Sequence, residues 1–233
     1  MNASDVVVRL QGVTRTYRQN SIAVQALRGV NLEIRKGDFA VLVGPSGSGK
    51  TTLLNMIGGL DSPTEGRIWV AGDEIGRLGK GELSQVRLRK IGFVFQEFNL
   101  VPVLSALENV EFVMLLQGLP EPQRRARAGA LLKELGLEGL EHRRPSELSG
   151  GQQQRVAVAR AIAAEPIIVL PDEPTANLDS QAGGALMDMM RHLNEDKGIT
   201  FVFSTHDPMV VERARRVIRL RDGEIESDER KPA

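Results

Sequence analysis

Cysteine is absent from the 233 residues, which removes disulfides, thiolate nucleophiles and thiolate metal sites together. A surplus of charge is absent too, because 30 Lys and Arg balance 30 Asp and Glu. A dedicated nucleic-acid binder needs a basic excess for its phosphate contacts, so no nucleic-acid partner is expected, although a local basic groove stays compatible. No apolar run approaches the ~18 residues of a membrane-spanning helix. Residues 1–5 carry neither a basic nor an apolar segment, so no secretory signal is expected. The three histidines, His142, His192 and His206, are scattered without metal-ligand spacing, which argues against a zinc centre. What remains is one sizeable α/β core with room for a smaller subdomain, expected to be soluble and cytoplasmic.

Short β-branched or alternating stretches predict strands at 6–10 and 30–34. The continuous apolar run at 39–43 predicts a strand buried on both faces. A glycine-rich turn follows, then a helical pattern through Leu53, Leu54 and Ile57 that stops at Gly58 and Gly59. Further strands are expected at 66–70, 91–95, 167–170 and 200–203, with a helix between the last two. From about Ser105 to Ala164 the chain turns rich in Leu, Ala, Arg and Glu at helical spacing, broken at Gly118, Pro120 and Pro145. This predicts a helical subdomain inserted into a sheet-based core. Asp222-Gly223 is a hairpin turn signal between 217–220 and 224–226. Residues 227–233 are polar and are read as a frayed tail.

Gly44-Pro45-Ser46-Gly47-Ser48-Gly49-Lys50-Thr51 matches Gly-x-x-x-x-Gly-Lys-Ser/Thr in full, between an apolar strand and a helix. Glycines let backbone N–H groups turn inward around phosphate oxygens, and the helix N-terminus adds about half a positive charge. In this pattern the lysine reaches the β- and γ-phosphates and the Thr51 hydroxyl can ligate Mg²⁺. A nucleoside triphosphate with magnesium is therefore the expected ligand. The strand at 167–170 ends in Pro171-Asp172-Glu173-Pro174, and open α/β sheets bind ligands outside the carboxyl ends of their strands. Asp172 is then expected near Mg²⁺ through water, and Glu173 at the γ-phosphate side, where it polarises an attacking water.

Leu148-Ser149-Gly150-Gly151-Gln152-Gln153-Gln154-Arg155 opens a helix with a Ser-x-x-Gln capping box. Periodicity alone does not separate an ordinary capped helix from a second anion site. The string resembles the LSGGQ signature of ATP-binding cassette (ABC) ATPases, and the phosphate loop precedes it as in that family. The resemblance spans about 6–226. It implies an α/β P-loop NTPase with a mostly parallel core sheet, an N-terminal antiparallel β subdomain and an inserted helical subdomain. On this reading 1–96 and 165–226 form the RecA-like core with its antiparallel part, 97–164 the helical signature subdomain, and 227–233 the tail.

The same resemblance implies roles residue by residue. Tyr17 stacks on adenine. Gly44, Pro45, Ser46, Gly47, Ser48, Gly49, Lys50, Thr51 and Thr52 hold ATP, while Thr51, Gln96 and, through water, Asp172 hold Mg²⁺. Glu173 and His206 serve hydrolysis to ADP and phosphate. Ser149, Gly150, Gly151 and Gln152 complete the phosphate site of a second copy in a head-to-tail homodimer, and Asp179 lies in the loop crossing that interface. Stretches 95–100, 106–110 and 144–147 resemble the ATPases of lipoprotein-releasing and macrolide-export systems. The implied protein powers a separate transmembrane permease and sits on the inner face of the membrane through it. A regulatory ABC ATPase that transmits a conformational change to an envelope enzyme is the alternative. A DNA-repair type fits less well, since 97–147 holds no heptad run and no cysteine. The stretch 112–116 is read first as a buried helix face and second as a dock for the permease. One departure stands out: the family usually has Ala or Leu at Pro171. Proline donates no ladder hydrogen bond, so the strand is expected to finish at Leu170 or to leave a neighbouring carbonyl unpaired.

Overall fold

Two sheets of different character arise from two hydrophobic patterns. The computed structural model describes residues 5–19 and 22–231. Strands β1 (Val6–Gln19) and β2 (Ile22–Arg35) pair antiparallel, opposing Leu10 to Leu32 and Val13 to Val30. Both run well beyond the short stretches that alternation alone marks. Register shifts after Leu10 and Val13 let apolar side chains stay inward although the sequence breaks its period of two there.

The second sheet is built on β3 (Phe39–Val43), which is buried along its whole length. Helix α1 (Lys50–Ile57) follows it, and β4 (Glu65–Val70) and β5 (Asp73–Glu74) return to the antiparallel sheet, whose order is β2-β1-β4-β5. Helix α2 (Lys80–Lys90) then leads into β6 (Ile91–Val94). Between β6 and the next strand come α3 (Ala106–Leu116), α4 (Glu121–Glu134) and α5 (Gly150–Ala163). Strand β7 (Ile168–Pro171), helix α6 (Ser180–Lys197), strand β8 (Thr200–Ser204), helix α7 (Pro208–Arg213) and the hairpin of β9 (Arg216–Arg221) and β10 (Glu224–Arg230) complete the chain. The sheet order is β10-β9-β3-β8-β7-β6, parallel throughout except for β10.

Side-chain alternation divides the parallel sheet between two cores. Phe39, Val41, Phe201 and Phe203 face α5 and α6, with Phe39 and Phe203 in an edge-to-face pair at 4.8 Å. Ala40, Leu42, Val202 and Ile218 face α1 and the antiparallel sheet. Among the described residues, α2, α7 and the two-residue β5 escape the sequence pattern. Helix α2 buries a single side chain, Val86, so it has no apolar stripe; its start is marked instead by Glu82, whose carboxylate accepts the Gly79 N–H at 2.8 Å.

The tail expectation needs correction. Residues 227–230 belong to β10, and the reason is ionic. Asp38, nearly fully buried, accepts from Arg216 at 2.6 Å and from both terminal nitrogens of Arg230 at 2.9 and 3.2 Å. Asp228 holds the other fork of Arg216 at 2.6 Å. The strand alternation is too polar to be legible as a strand, yet its charges are complementary to a buried carboxylate. Asp38→Ala is expected to cost about 3 kcal/mol, because it leaves the buried Arg216 with half its counter-charge. Urea denaturation measures this; a loss below about 1 kcal/mol contradicts the network's role.

Candidate functional site

The loops after β3, β7 and β8 leave the same edge of the parallel sheet, as parallel strands must, and they converge there. The first is the glycine loop. A side chain at Gly44 would place its Cβ 2.2 Å from the Leu220 carbonyl oxygen, and Gly49 sits at φ 101° as the N-cap of α1. At both positions only glycine fits. No side chain caps α1, so its first-turn N–H groups stay available at the cleft. Lys50 folds over the loop, its Nζ donating to the carbonyls of Gly44 at 2.7 Å and Pro45 at 3.0 Å. Its charge is thus held among dipoles and is not neutralised by a carboxylate.

The second loop starts inside β7. The strand does not finish at Leu170; it continues through Pro171, which pairs with Val94 of β6. The missing proton falls on the other side. Glu173 N–H donates to Ser204 of β8 at 2.8 Å, so Pro171, two residues back, faces β8 as well. Pairing with β8 accordingly stops after Val169 and resumes only at Asp172 with Ser204. Proline is tolerated because it interrupts one ladder while β6 keeps the strand in place.

Asp172 is thereby fixed by its N–H to Val94 at 2.9 Å, and its Oδ1 accepts from Thr51 Oγ1 at 3.3 Å. Burial pushes its carboxyl above the ordinary aspartate value; the neighbouring Ser204 and Thr51 hydroxyls oppose that shift, Glu173 adds to it and the Lys50 charge opposes it. Glu173 adopts φ 46°, a left-handed conformation costly for a non-glycine residue. Its carboxylate is held from the third loop: Thr205 Oγ1 donates to Oε2 at 2.9 Å, and His206 Nδ1 lies 2.8 Å from Oε1. Glu173 is 17% exposed and His206 75%, so the pair has a sheltered carboxylate and an open imidazole. Thr175 Oγ1 donates to Asp207 at 3.0 Å, and Asp207 caps α7. The second and third loops are therefore zipped together by side chains.

The three loops border a cleft of about 740 Å³ with Pro45, Ser46, Gly47, Gly49, Lys50, Thr51, Thr52, Gln96, Glu173 and His206 in its wall, while Gly44, Ser48 and Asp172 lie behind that wall. Val24 and Ala26 of β2 and Ala176 add apolar surface that the sequence reading missed. Their signal was weak, two small side chains at period two in a strand. Thr205 was also missed; its place beside His206 was the available hint. Tyr17 does not line the cleft. It opposes Val24 across the β1–β2 pair, donates its hydroxyl to Asp61 at 2.7 Å and lies under the Arg15 guanidinium. Ser149, Gly150, Gly151 and Gln152 are not in the cleft either. The Ser149–Gln152 capping box is formed, at 3.3 and 2.9 Å. Asp179 caps α6 through Ala182 N–H at 2.8 Å. Gln96 is exposed, and its main-chain carbonyl accepts from the Asn177 side-chain amide at 2.9 Å.

Among the described residues no cluster of three or more His, Cys, Asp or Glu exists to cage a metal. A hard cation that keeps waters and phosphate oxygens needs only one or two protein oxygens, and Thr51 Oγ1 beside a desolvated Asp172 carboxylate fits that demand.

The sequence profile described as ABC transporter matches residues 27–176. The lipoprotein-releasing system ATP-binding protein LolD of Anaeromyxobacter dehalogenans is 46% identical, over 95% of this chain and 93% of that protein. The macrolide export ATP-binding/permease protein MacB of Syntrophobacter fumaroxidans is 46% identical over 95% of this chain, which spans 31% of that protein. A solved dimer of the ATP-binding cassette MJ0796 of Methanocaldococcus jannaschii, bound to ADP and Pi, superimposes with a TM-score of 0.89. It is 46% identical, and the match covers 97% of this chain and 99% of that one.

Proposed function

The chain belongs to the ATP-binding subunits of ABC transporters, and from that premise we propose how its own residues bind ATP, hydrolyse it and couple the reaction to a membrane permease. The observation that carries the reading is the convergence of Lys50, Thr51, Asp172, Glu173 and His206 on one edge of the parallel sheet. Lys50 and the first-turn N–H groups of α1 take the phosphates. Mg²⁺ would be held by Thr51 and, through water, by Asp172 with Gln96 near, and it would neutralise developing phosphate charge. Glu173, aimed by Thr205 and His206, orients a water and accepts its proton, while His206 stays exposed to contact the terminal phosphate. Tyr17 flanks the apolar wall at Val24, where the base of the nucleotide rests.

The signature residues stand away from the cleft of their own chain, which supports their acting on a second copy. In a C₂ pair each protomer would offer Ser149, Gly150, Gly151 and Gln152 to its partner's nucleotide, with Asp179 at the crossing. Purified protein is expected to release phosphate from ATP only with Mg²⁺ present. Absence of phosphate release, or release without a divalent cation, contradicts the reading.

No helix among the described residues is long and apolar enough to cross a membrane; the permease is proposed as a separate chain because the lipoprotein-releasing ATP-binding relative is matched over 93% of its own length. The stretch 112–116, first read as a buried helix face, divides. Met114 is buried, whereas Phe112, Leu115 and Leu116 on α3 are 42, 49 and 57% exposed. Such a patch favours a partner surface. Changing all three to Ser is expected to leave phosphate release intact and to lower recovery of the permease from solubilised membranes at least about tenfold, the loss of ~1.4 kcal/mol. Undiminished recovery rejects α3 as the dock. The relatives named for lipoprotein release and macrolide export support an envelope-directed transporter of that group.

A further inference from the structure

Helix α5 carries the signature at its N-terminus and, further along, two side chains that reach back to the loop after β6. Gln154, fully buried, donates from Nε2 to the Pro174 carbonyl at 2.8 Å and to that of Phe95 at 3.4 Å. Arg160 donates from Nη2 to the Phe98 carbonyl at 2.9 Å and from Nη1 to the Asn99 carbonyl at 2.5 Å. Its fork is spent on main-chain oxygens. Burial pushes the guanidinium below its ordinary value, a cost that only specific hydrogen bonds offset. The two residues it holds are the unusual ones: Phe98 and Asn99 sit at φ 58° and 48°, successive left-handed conformations that cost about 1–3 kcal/mol each without support.

That turn stands between two functional elements. Gln96, close before it, lines the nucleotide cleft. On its other side the Phe98 ring packs against the signature, with Phe98 Cζ 3.7 Å from where a Cβ on Gly150 would lie. We propose that Arg160 is a positioning residue: by locking the 98–99 turn it fixes Gln96 toward the nucleotide of its own chain and Gly150 toward that of the second copy. The inference rests on the nucleotide and signature roles given above. Lysine does not reproduce the fork that grips two adjacent carbonyls, and glycine at 99 removes the steric cost at one of the two left-handed residues of the turn.

The test compares wild type, Arg160→Lys, Arg160→Ala, Asn99→Gly and Arg160→Ala with Asn99→Gly. ATP affinity is titrated, kcat is read from phosphate release, and ATP-driven dimerisation is followed by gel filtration in a Glu173→Gln background. Arg160→Ala is expected to keep the ATP Kd within about twofold while kcat falls about 10- to 100-fold, the range for a misplaced reacting group. The Lys variant falls between, and adding Asn99→Gly to Arg160→Ala restores part of the lost kcat and dimer. Unchanged kcat in Arg160→Ala overturns the inference. So does a joint fall of ATP affinity and kcat that Asn99→Gly fails to rescue, which marks a general structural role. If wild type itself releases no phosphate, the nucleotide reading fails and takes this one with it; if wild type is active and stopped by Glu173→Gln, only the Arg160 claim is at stake.

Discussion

Glu173→Gln is expected to keep ATP and to lose about 10²- to 10⁴-fold of its hydrolysis, the range for removing a general base. The substitution is nearly isosteric, so the consequences are confined. The new side-chain amide would still accept from Thr205 Oγ1 through its oxygen, where Oε2 of Glu173 accepts now at 2.9 Å. It would still face His206, now at 2.8 Å from Oε1. The main-chain bond from residue 173 to Ser204 at 2.8 Å does not depend on the side chain, so the left-handed turn at φ 46° persists. What disappears is the ability to take a proton. With binding intact and turnover stopped, the ATP-bound pair should accumulate and be visible by gel filtration. The measurement is kcat from phosphate release beside ATP affinity from titration. A kcat close to wild type removes Glu173 from the mechanism, and a fall in affinity equal to the fall in kcat moves its role to binding.

How far the sequence carries this site follows from where its signals lie. The glycine loop was legible because close packing dictates it: Gly44 meets the Leu220 carbonyl and Gly49 takes φ 101°, so composition and geometry are the same statement. The buried strands β3 and β8 were legible for a similar reason, since only continuous apolar runs survive between two cores. Helix α2 was not, because almost nothing in it is buried. The second half of β10, 227–230, was not either, because its place is set by Asp38 and Arg230, 192 residues apart. The Arg160 clamp belongs to the same class, with its carbonyls 61 and 62 residues away. Periodicity reads neighbours; it has no access to a hydrogen bond whose acceptor is an unremarkable main chain. Pro171 shows the intermediate case. Its lost hydrogen bond was foreseeable, but which neighbour loses it depends on the strand order, β8 on one side and β6 on the other.

The neutral composition acquires a meaning at Lys50. With 30 basic and 30 acidic residues, no net positive charge draws in a polyanion, so the anionic ligand must be recognised by a few placed groups. Among the described residues Lys50 is the one lysine or arginine in the wall of the cleft. It is already buried and waits on the carbonyls of Gly44 and Pro45 at 2.7 and 3.0 Å. A charge so held loses little hydration when a phosphate arrives. Lys50→Ala is therefore expected to weaken ATP binding about 10²- to 10³-fold, corresponding to one or two charge-assisted hydrogen bonds of about 1.5–3 kcal/mol each. The carbonyls it vacates border the open cleft, where water can replace the ammonium, so the melting temperature should change little. That separation of affinity from stability is the discriminating result. Unchanged ATP affinity contradicts the phosphate-loop assignment, whereas a matching loss of thermal stability makes Lys50 a structural clasp of the loop. The contrast with Glu173→Gln is one of affinity against turnover: the first variant loses its grip on ATP, and the second holds what it cannot hydrolyse.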